Sequence, residues 1–297
     1  MLTWEGVIAA IVTSLKDEGG KIDTEAMRSY CDFIVQKGVQ GLFVGGTTGE
    51  GPLLSLQERK SIAETVVDQV KGKTRLIIQT GCITTDETIE LTRHSRSVGA
   101  DAAGIVLPYF YHLDDDALFK HFFKIANAVP GFPLFIYNIP QCTCNNLSPR
   151  LFEKLLEKIE SLVGIKTSNP DIFQIQEYVR LAEDRCSVFV GCDGLILASL
   201  SAGVRGIVSG NASAFPEPFI KIYQAFERGE LEKAREYQLF IDKLRNVLGD
   251  GRYIASFKKA LGFRGIKVGS VREPNGELSA EETAKLRESL RELGLVQ

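Results

Sequence analysis

The sequence is poor in the residues that make metal sites and disulfide frameworks. Its six cysteines are Cys31, Cys82, Cys142, Cys144, Cys186 and Cys192, and none forms a C-x-x-C pair. Only three histidines, His94, His112 and His121, are available to join them. In a chain this long, that excludes a recognisable zinc motif or disulfide scaffold. The close pair Cys142-Thr143-Cys144 reads as two reduced thiols in a loop. Lysine and arginine do not cluster and the net charge is −3, so the electrostatic footprint of a nucleic-acid binder is missing. No apolar stretch approaches the roughly 20 residues of a membrane span. Residues Met1 to Gly6 carry neither a basic segment nor a long apolar one, so no signal peptide is read and a cytoplasmic location is expected.

What is present is a soluble globular composition, 44% apolar and 25% charged over 297 residues. Short apolar runs alternate with helical patterns. The runs are Val7–Val12, Leu42–Val44, Leu76–Ile78, Ala102–Leu107, Leu134–Tyr137, Leu162–Ile165, Val188–Val190 and Gly206–Val208. They are nearly continuous rather than alternating, as strands buried on both faces are. Eight of them with helices between predict an α/β fold, a (β/α)8 TIM barrel. A doubly wound open sheet is the rival, which strand count does not exclude. Helix starts are marked by the capping box Ser55-Leu56-Gln57-Glu58 and by Ser148-Pro149. Gly38 and Gly203 stand where helices should stop. From Pro216 the strand signals cease. The expected organisation is a barrel core over 1–215 and a C-terminal helical extension over 216–297, packed on it as one structural unit.

Barrel enzymes place their chemistry at the C-terminal ends of the strands. Lys166 closes the sixth run, and an apolar setting there disfavours the ammonium and frees an amine to attack a carbonyl. A lysine that snorkels to solvent or pairs with a carboxylate fits the same position. Tyr137 closes the neighbouring fifth run. It is either a proton shuttle or a core tyrosine bonded to backbone. After the second run comes Gly45-Gly46-Thr47-Thr48-Gly49-Glu50. Its glycines permit close backbone approach, its amides can form an anion nest, and Thr47 and Thr48 add hydroxyl donors suited to a carboxylate. A tight strand-to-helix turn is the simpler reading of the same glycines. It lacks the Gly-Lys-Ser/Thr of a phosphate-binding loop. A carboxylate cradle, a buried lysine and a tyrosine at one rim together describe a site for a 2-keto acid.

These residues, with Tyr137-Asn138-Ile139-Pro140, Gly164-Ile165-Lys166 and Gly206-Ile207-Val208-Ser209-Gly210-Asn211, match a known pattern over nearly the whole chain. The sequence resembles the dihydrodipicolinate synthase / N-acetylneuraminate lyase superfamily of class I aldolases. The resemblance implies a Schiff base on Lys166, proton transfer by Tyr137, and a pyruvate carboxylate held by Thr47 and Thr48, with Thr48 in a hydroxyl relay. It places Gly191 and Val208 along the same pocket and implies Asp193 and Ser209 as substrate-binding groups. It implies no metal and no organic cofactor, the covalent imine sufficing. The partners implied are a small 2-keto acid and an aldehyde, and the family is usually tetrameric, a dimer of dimers.

The departures lie in the second half-site. The arginine that dihydrodipicolinate synthases carry two residues after Tyr-Asn-x-Pro is here Cys142, and a thiol cannot replace a bidentate guanidinium. The acidic pair of sialic-acid lyases is here Asp193 followed by Gly194. The tyrosine usually found in the Pro-aromatic-aromatic motif is Phe110, with Tyr111 next to it as a possible relay if the loop shifts. The expected activity is a pyruvate-dependent aldolase on a 2-keto-3-deoxy sugar acid type of substrate. Alternatives are a 4-hydroxy-tetrahydrodipicolinate synthase despite the missing arginine, dehydration or deamination through the same imine, a non-catalytic keto-acid-binding barrel, and a phosphate-binding barrel enzyme using Ser209-Gly210.

Overall fold

The computed structural model describes residues 4–16, 20–249 and 254–297. Eight parallel strands close into a barrel in sequence order, β1 pairing with both β2 and β8. They are β1 (Gly6–Ala10), β2 (Gly41–Val44), β3 (Arg75–Gln79), β4 (Ala102–Val106), β5 (Leu134–Asn138), β6 (Leu162–Thr167), β7 (Ser187–Val190) and β8 (Gly206–Ser209). Closure removes the open-sheet alternative and leaves no edge strand to protect.

Most strand ends differ from the apolar runs by one or two residues, and the differences at β6 and β1 bear on the site. β6 runs on through Lys166 and Thr167, because its backbone continues the ladder, Lys166 opposite Tyr137 and Phe189. The apolar run stops earlier since polar side chains at a barrel mouth interrupt hydrophobicity without interrupting pairing. β1 ends at Ala10, and Ile11 and Val12 lead into the loop, still buried.

The outer layer is α1 (Thr24–Gln36), α2 (Leu56–Val70), α3 (Thr85–Val98), α4 (Asp115–Ala128), α5 (Pro140–Thr143), α6 (Pro149–Lys158), α7 (Ile172–Ala182) and α8 (Ile196–Ser201). After β8 come α9 (Pro216–Glu227), α10 (Leu231–Leu248), α11 (Ile254–Phe263) and α12 (Ala280–Glu292), of which α9 packs against β1. The Ser55 capping box forms as expected, the Ser55 hydroxyl receiving Glu58 N–H and the Glu58 carboxylate receiving Ser55 N–H. Ser148 caps α6 with Pro149 at its first position. Gly38 and Gly203 follow helices at φ +86° and +96°, conformations that cost most residues but not glycine. No helix among the described residues is long and apolar enough to cross a membrane.

Two apolar clusters fill the molecule. The larger joins the outward faces of the strands to the helices, and it includes Ile222, Leu244 and Leu261 of the C-terminal helices. The smaller is the barrel interior: Trp4, Ile8, Phe43, Ile77, Val106, Phe135, Tyr137, Phe189 and Val208 among others. Trp4 meets Phe135 edge-on at 5.0 Å and Phe135 meets Phe189 at 5.9 Å. Glycine makes room for these rings. A Cβ on Gly164 would overlap Phe135, and one on Gly206 would overlap Phe189. The barrel is therefore packed solid below the level of Lys166, so any reacting group must enter from above.

His121 of α4 is 6% exposed, its Nδ1 2.9 Å from the Thr85 hydroxyl on α3. Burial pushes its pKa down from 6.5 to about 4. A group held neutral in the fold and free to protonate when unfolded favours unfolding as pH falls from 6.5 toward 4. Between pH 7 and pH 5 this site alone should remove about 2 kcal/mol of stability. Urea unfolding of His121→Leu beside the parent should show a pH sensitivity smaller by that amount. Equal sensitivities would refute the assignment.

Candidate active site

The site is built where β2, β5, β6, β7 and β8 end. Period-two alternation points Phe135 and Tyr137 of β5, and Gly164 and Lys166 of β6, into the barrel. Lys166 is 5% exposed. Its Nζ stands 3.8 Å from the centroid of the Tyr137 ring and 4.6 Å from that of Phe43. Among the described residues no carboxylate pairs with it, and its charge is met by two ring faces instead. Neither a snorkelling lysine nor a structural ion pair is seen here. Gly191 after β7 lies against the same side chain: an added Cβ there would stand 3.1 Å from Lys166 Cε and would overlap the Ser168 hydroxyl.

Tyr137 is 2% exposed, its ring edge-on to Phe43 at 5.5 Å. Its hydroxyl is 3.2 Å from Thr47 Oγ1. The phenol thus bonds a neighbouring hydroxyl at the site, not the backbone. The turn that presents Thr47 is pinned on several sides. Glu50 N–H donates to Thr47 O, Gly51 N–H donates to Gly46 O, and the Thr13 hydroxyl donates to Gly49 O at 2.6 Å. A Cβ on Gly51 would overlap the Gly45 carbonyl, which is why glycine is required there. Thr48 Oγ1 lies 2.8 Å from where Gly210 would carry a Cβ, so the β2 and β8 loops meet at this hydroxyl. The Tyr137 ring thus faces the Lys166 amine while its hydroxyl meets that of Thr47, with no carboxylate paired to the amine among the described residues. That arrangement suits an anionic carbonyl compound.

The remaining residues named from sequence fall in two groups. Val208 is buried in the barrel interior. Asp193 and Ser209 are brought together: Asp193 Oδ2 accepts from Ser209 Oγ and from Asn211 Nδ2, each at 2.7 Å, and all three residues are buried. Gly194 gives room to α10, since a Cβ there would lie 2.5 Å from Arg245 Nη1. Cys142 follows β5 on α5. Burial raises its thiol pKa and the Lys166 ammonium counters it, so the sulfur is protonated at neutral pH and within electrostatic reach of the lysine. None of the six cysteines forms a disulfide. Tyr111 stands apart from the buried pair: it is 64% exposed, its ring packed edge-on against Phe110, which is 78% exposed at φ +81°. No cluster of metal-ligating side chains occurs among the described residues.

Sequence reasoning missed several supports. Phe43 is the second ring facing Lys166, but in the sequence it is one apolar residue among many. Arg59 reads as a solvated helix position, yet it is buried and donates to Gln79 O and Gly81 O at the end of β3. Glu50 is buried opposite Lys258 of α11, a lysine with no local signal at all.

Comparison with known proteins places the chain in a family. Residues 3–293 match the model of the dihydrodipicolinate synthetase family. An uncharacterized DapA-like lyase of Halobacterium salinarum is 35% identical over 98% of this chain and 94% of its own. The 4-hydroxy-tetrahydrodipicolinate synthase of Methanocaldococcus jannaschii is 33% identical over 99% and 100%. Among solved structures, dihydrodipicolinate synthase from Aquifex aeolicus superposes with a TM-score of 0.93 at 33% identity, covering 99% of each chain. A Ruminococcus gnavus sialic acid aldolase, solved as its catalytic lysine mutant, gives 0.94 at 28% identity, over 98% of this chain and 96% of that one. The chain therefore belongs to the dihydrodipicolinate synthetase family, whose members are pyruvate-dependent class I lyases.

Proposed function

We propose that this protein is a Schiff-base aldolase that joins pyruvate to an aldehyde, or cleaves the product, with Lys166 as nucleophile. The observation that carries this reading is the buried Lys166, held over the Tyr137 ring with no carboxylate beside it. An amine with no carboxylate partner is not tied up in an ion pair and can serve as a nucleophile toward a carbonyl. It attacks the keto carbon, and a proton delivered through Tyr137 lets the carbinolamine oxygen leave as water. The resulting iminium draws electrons from the adjacent methyl. A proton leaves that carbon, giving an enamine. The enamine carbon bonds to the aldehyde carbon, whose oxygen takes a proton. Water then releases the product and restores the amine. Thr47 and Thr48 hold the keto-acid carboxylate, with Thr48 passing protons onward, and Gly191 and Val208 line the pocket. The chemistry uses no metal or organic cofactor.

The second substrate is a polyhydroxylated aldehyde, so that the joined product is a 2-keto-3-deoxy sugar acid. Cys142 supports this, since a neutral thiol offers no cation to a second carboxylate. Asp193 and Ser209, which here bond each other and Asn211, would exchange those bonds for substrate hydroxyls. The 4-hydroxy-tetrahydrodipicolinate synthase reading keeps standing through the name of the Methanocaldococcus jannaschii relative. We propose further that the protein works as a homotetramer, a dimer of dimers, with the exposed Phe110 and Tyr111 covered by a second copy.

Incubation with pyruvate followed by borohydride should add a pyruvate-derived mass to the peptide containing Lys166. A panel of aldehydes should then show turnover with hydroxylated aldehydes above aspartate semialdehyde. Clear preference for aspartate semialdehyde would transfer the assignment to the synthase reading, and absence of the adduct on folded protein would leave a binding barrel.

A further inference from the structure

A buried ion pair lies behind the threonine turn. Glu50 ends that turn with its backbone in the left-handed region, φ +58°. Its Oε2 is 2.7 Å from Lys258 Nζ, and the two side chains are 0% and 1% exposed. Its Oε1 accepts Arg272 N–H at 2.7 Å and Asn275 Nδ2 at 3.1 Å. Lys258 also donates to Ser270 O at 2.6 Å. Three of these partners, Ser270, Arg272 and Asn275, lie in the segment between α11 and α12. That segment is itself tied to the loops that follow β1 and β2. Arg272 reaches Glu58 at the start of α2 and the Gly20 carbonyl, and Leu15 N–H after β1 donates to Val268 O.

This arrangement is costly for mere stability. Two charges removed from water gain little over well-packed apolar groups, while stranding one of them is strongly destabilising. What a buried pair with additional backbone bonds does provide is one defined position for its carboxylate. Here that position lies at the end of the threonine turn. Glu50 N–H is bonded to Thr47 O, so the carboxylate anchor and the hydroxyl facing Tyr137 belong to one closed turn. The left-handed backbone at Glu50 is strained for a side chain of its kind, and such strain persists only where the surroundings enforce it.

We propose that Glu50 and Lys258 are positioning residues for the keto-acid site: through them the C-terminal segment holds the Thr47-Thr48 turn in register with Tyr137 and Lys166. The inference rests on the reading that this turn binds the keto-acid carboxylate. The C-terminal helices are then a working part of the active site. Loss of the pair leaves the imine-forming amine intact and loosens the cradle that orients its substrate.

The test is the double variant Glu50→Gln/Lys258→Met, which strands no charge, beside Asn275→Ala, which removes one donor and keeps the pair. Each is measured as purified full chain by borohydride trapping against pyruvate concentration, with thermal unfolding in parallel. The double variant should keep the Lys166 adduct and an unfolding temperature near the parent's. Its half-saturating pyruvate concentration should rise about tenfold, with a smaller change in the rate at saturation. Asn275→Ala should raise that concentration about threefold. Parental pyruvate saturation in a folded double variant would overturn the positioning role, and if the double variant does not fold, parental saturation in Asn275→Ala would do so. Absence of the adduct in the parent would instead overturn the proposed function.

Discussion

Replacing Lys166 with methionine should abolish adduct formation with pyruvate and borohydride, and lower aldolase turnover by on the order of 10^4-fold or more. Methionine nearly matches the volume of the lysine stem, and its thioether can lie against the Phe43 and Tyr137 rings that now face the ammonium. The variant should therefore fold. Because no carboxylate pairs with Lys166 among the described residues, its removal leaves no buried anion behind. Folding stability should be unchanged or slightly improved, which separates loss of the nucleophile from loss of the protein. The other lysine buried near the site, Lys258, is locked to Glu50 and Ser270 and gives no substitute amine. Retention of a pyruvate adduct in Lys166→Met, located on another residue, would remove Lys166 from the mechanism.

Tyr137→Phe should have the next largest effect, a fall in turnover of about 10^2- to 10^4-fold, the range for loss of a positioned acid–base group. The ring contact to Lys166 and the edge-on contact to Phe43 use carbon atoms that phenylalanine keeps. Only the hydroxyl bonded to Thr47 is lost. Thr47 lies at the rim and can turn to water, so little stability should be lost. Trapping should show the imine forming slowly but still on Lys166, since the nucleophile is untouched and only proton delivery fails. Stopped-flow or quenched trapping separates the two steps. A variant that forms the imine at the parental rate, with parental turnover, would reduce Tyr137 to a packing residue that happens to sit beside the amine.

These two residues show how function was read from sequence here. Each closes a buried strand, and strands that are apolar on both faces are recognisable because a parallel barrel leaves them no wet side. A polar residue at the end of such a run therefore points to the mouth of the barrel. The helix caps at Ser55 and Ser148 were legible for a comparable reason, since capping is settled within four residues. Position alone left both residues ambiguous between chemistry and packing, and the family resemblance weighed toward chemistry. The residues that differ from the family pattern, Cys142, Gly194 and Phe110, were also visible at once, though not what surrounds them.

The limits of the sequence are equally physical. Arg59 and Glu50 look like ordinary charged residues of a capped helix and its preceding turn, because local pattern reports polarity and not depth. Their burial comes from segments distant in sequence, the end of β3 and its loop for Arg59 and the C-terminal segment for Glu50. Asp193 is a substrate-binding residue by the family resemblance, and the fold shows its Oδ2 already holding Ser209 and Asn211. By itself the sequence determined the eight buried strands, the helices between them, and a lysine, a tyrosine and a threonine turn at strand ends, since each depends on residues within a turn or two of one another. Tertiary structure alone decided that the sheet closes, that Lys166 rests on Tyr137 and Phe43, and that Glu50 is anchored to Lys258 and to Arg272, the latter 222 residues away. Such contacts follow from barrel closure and from the path of the C-terminal segment against the loops after β1 and β2, and no local pattern carries that information.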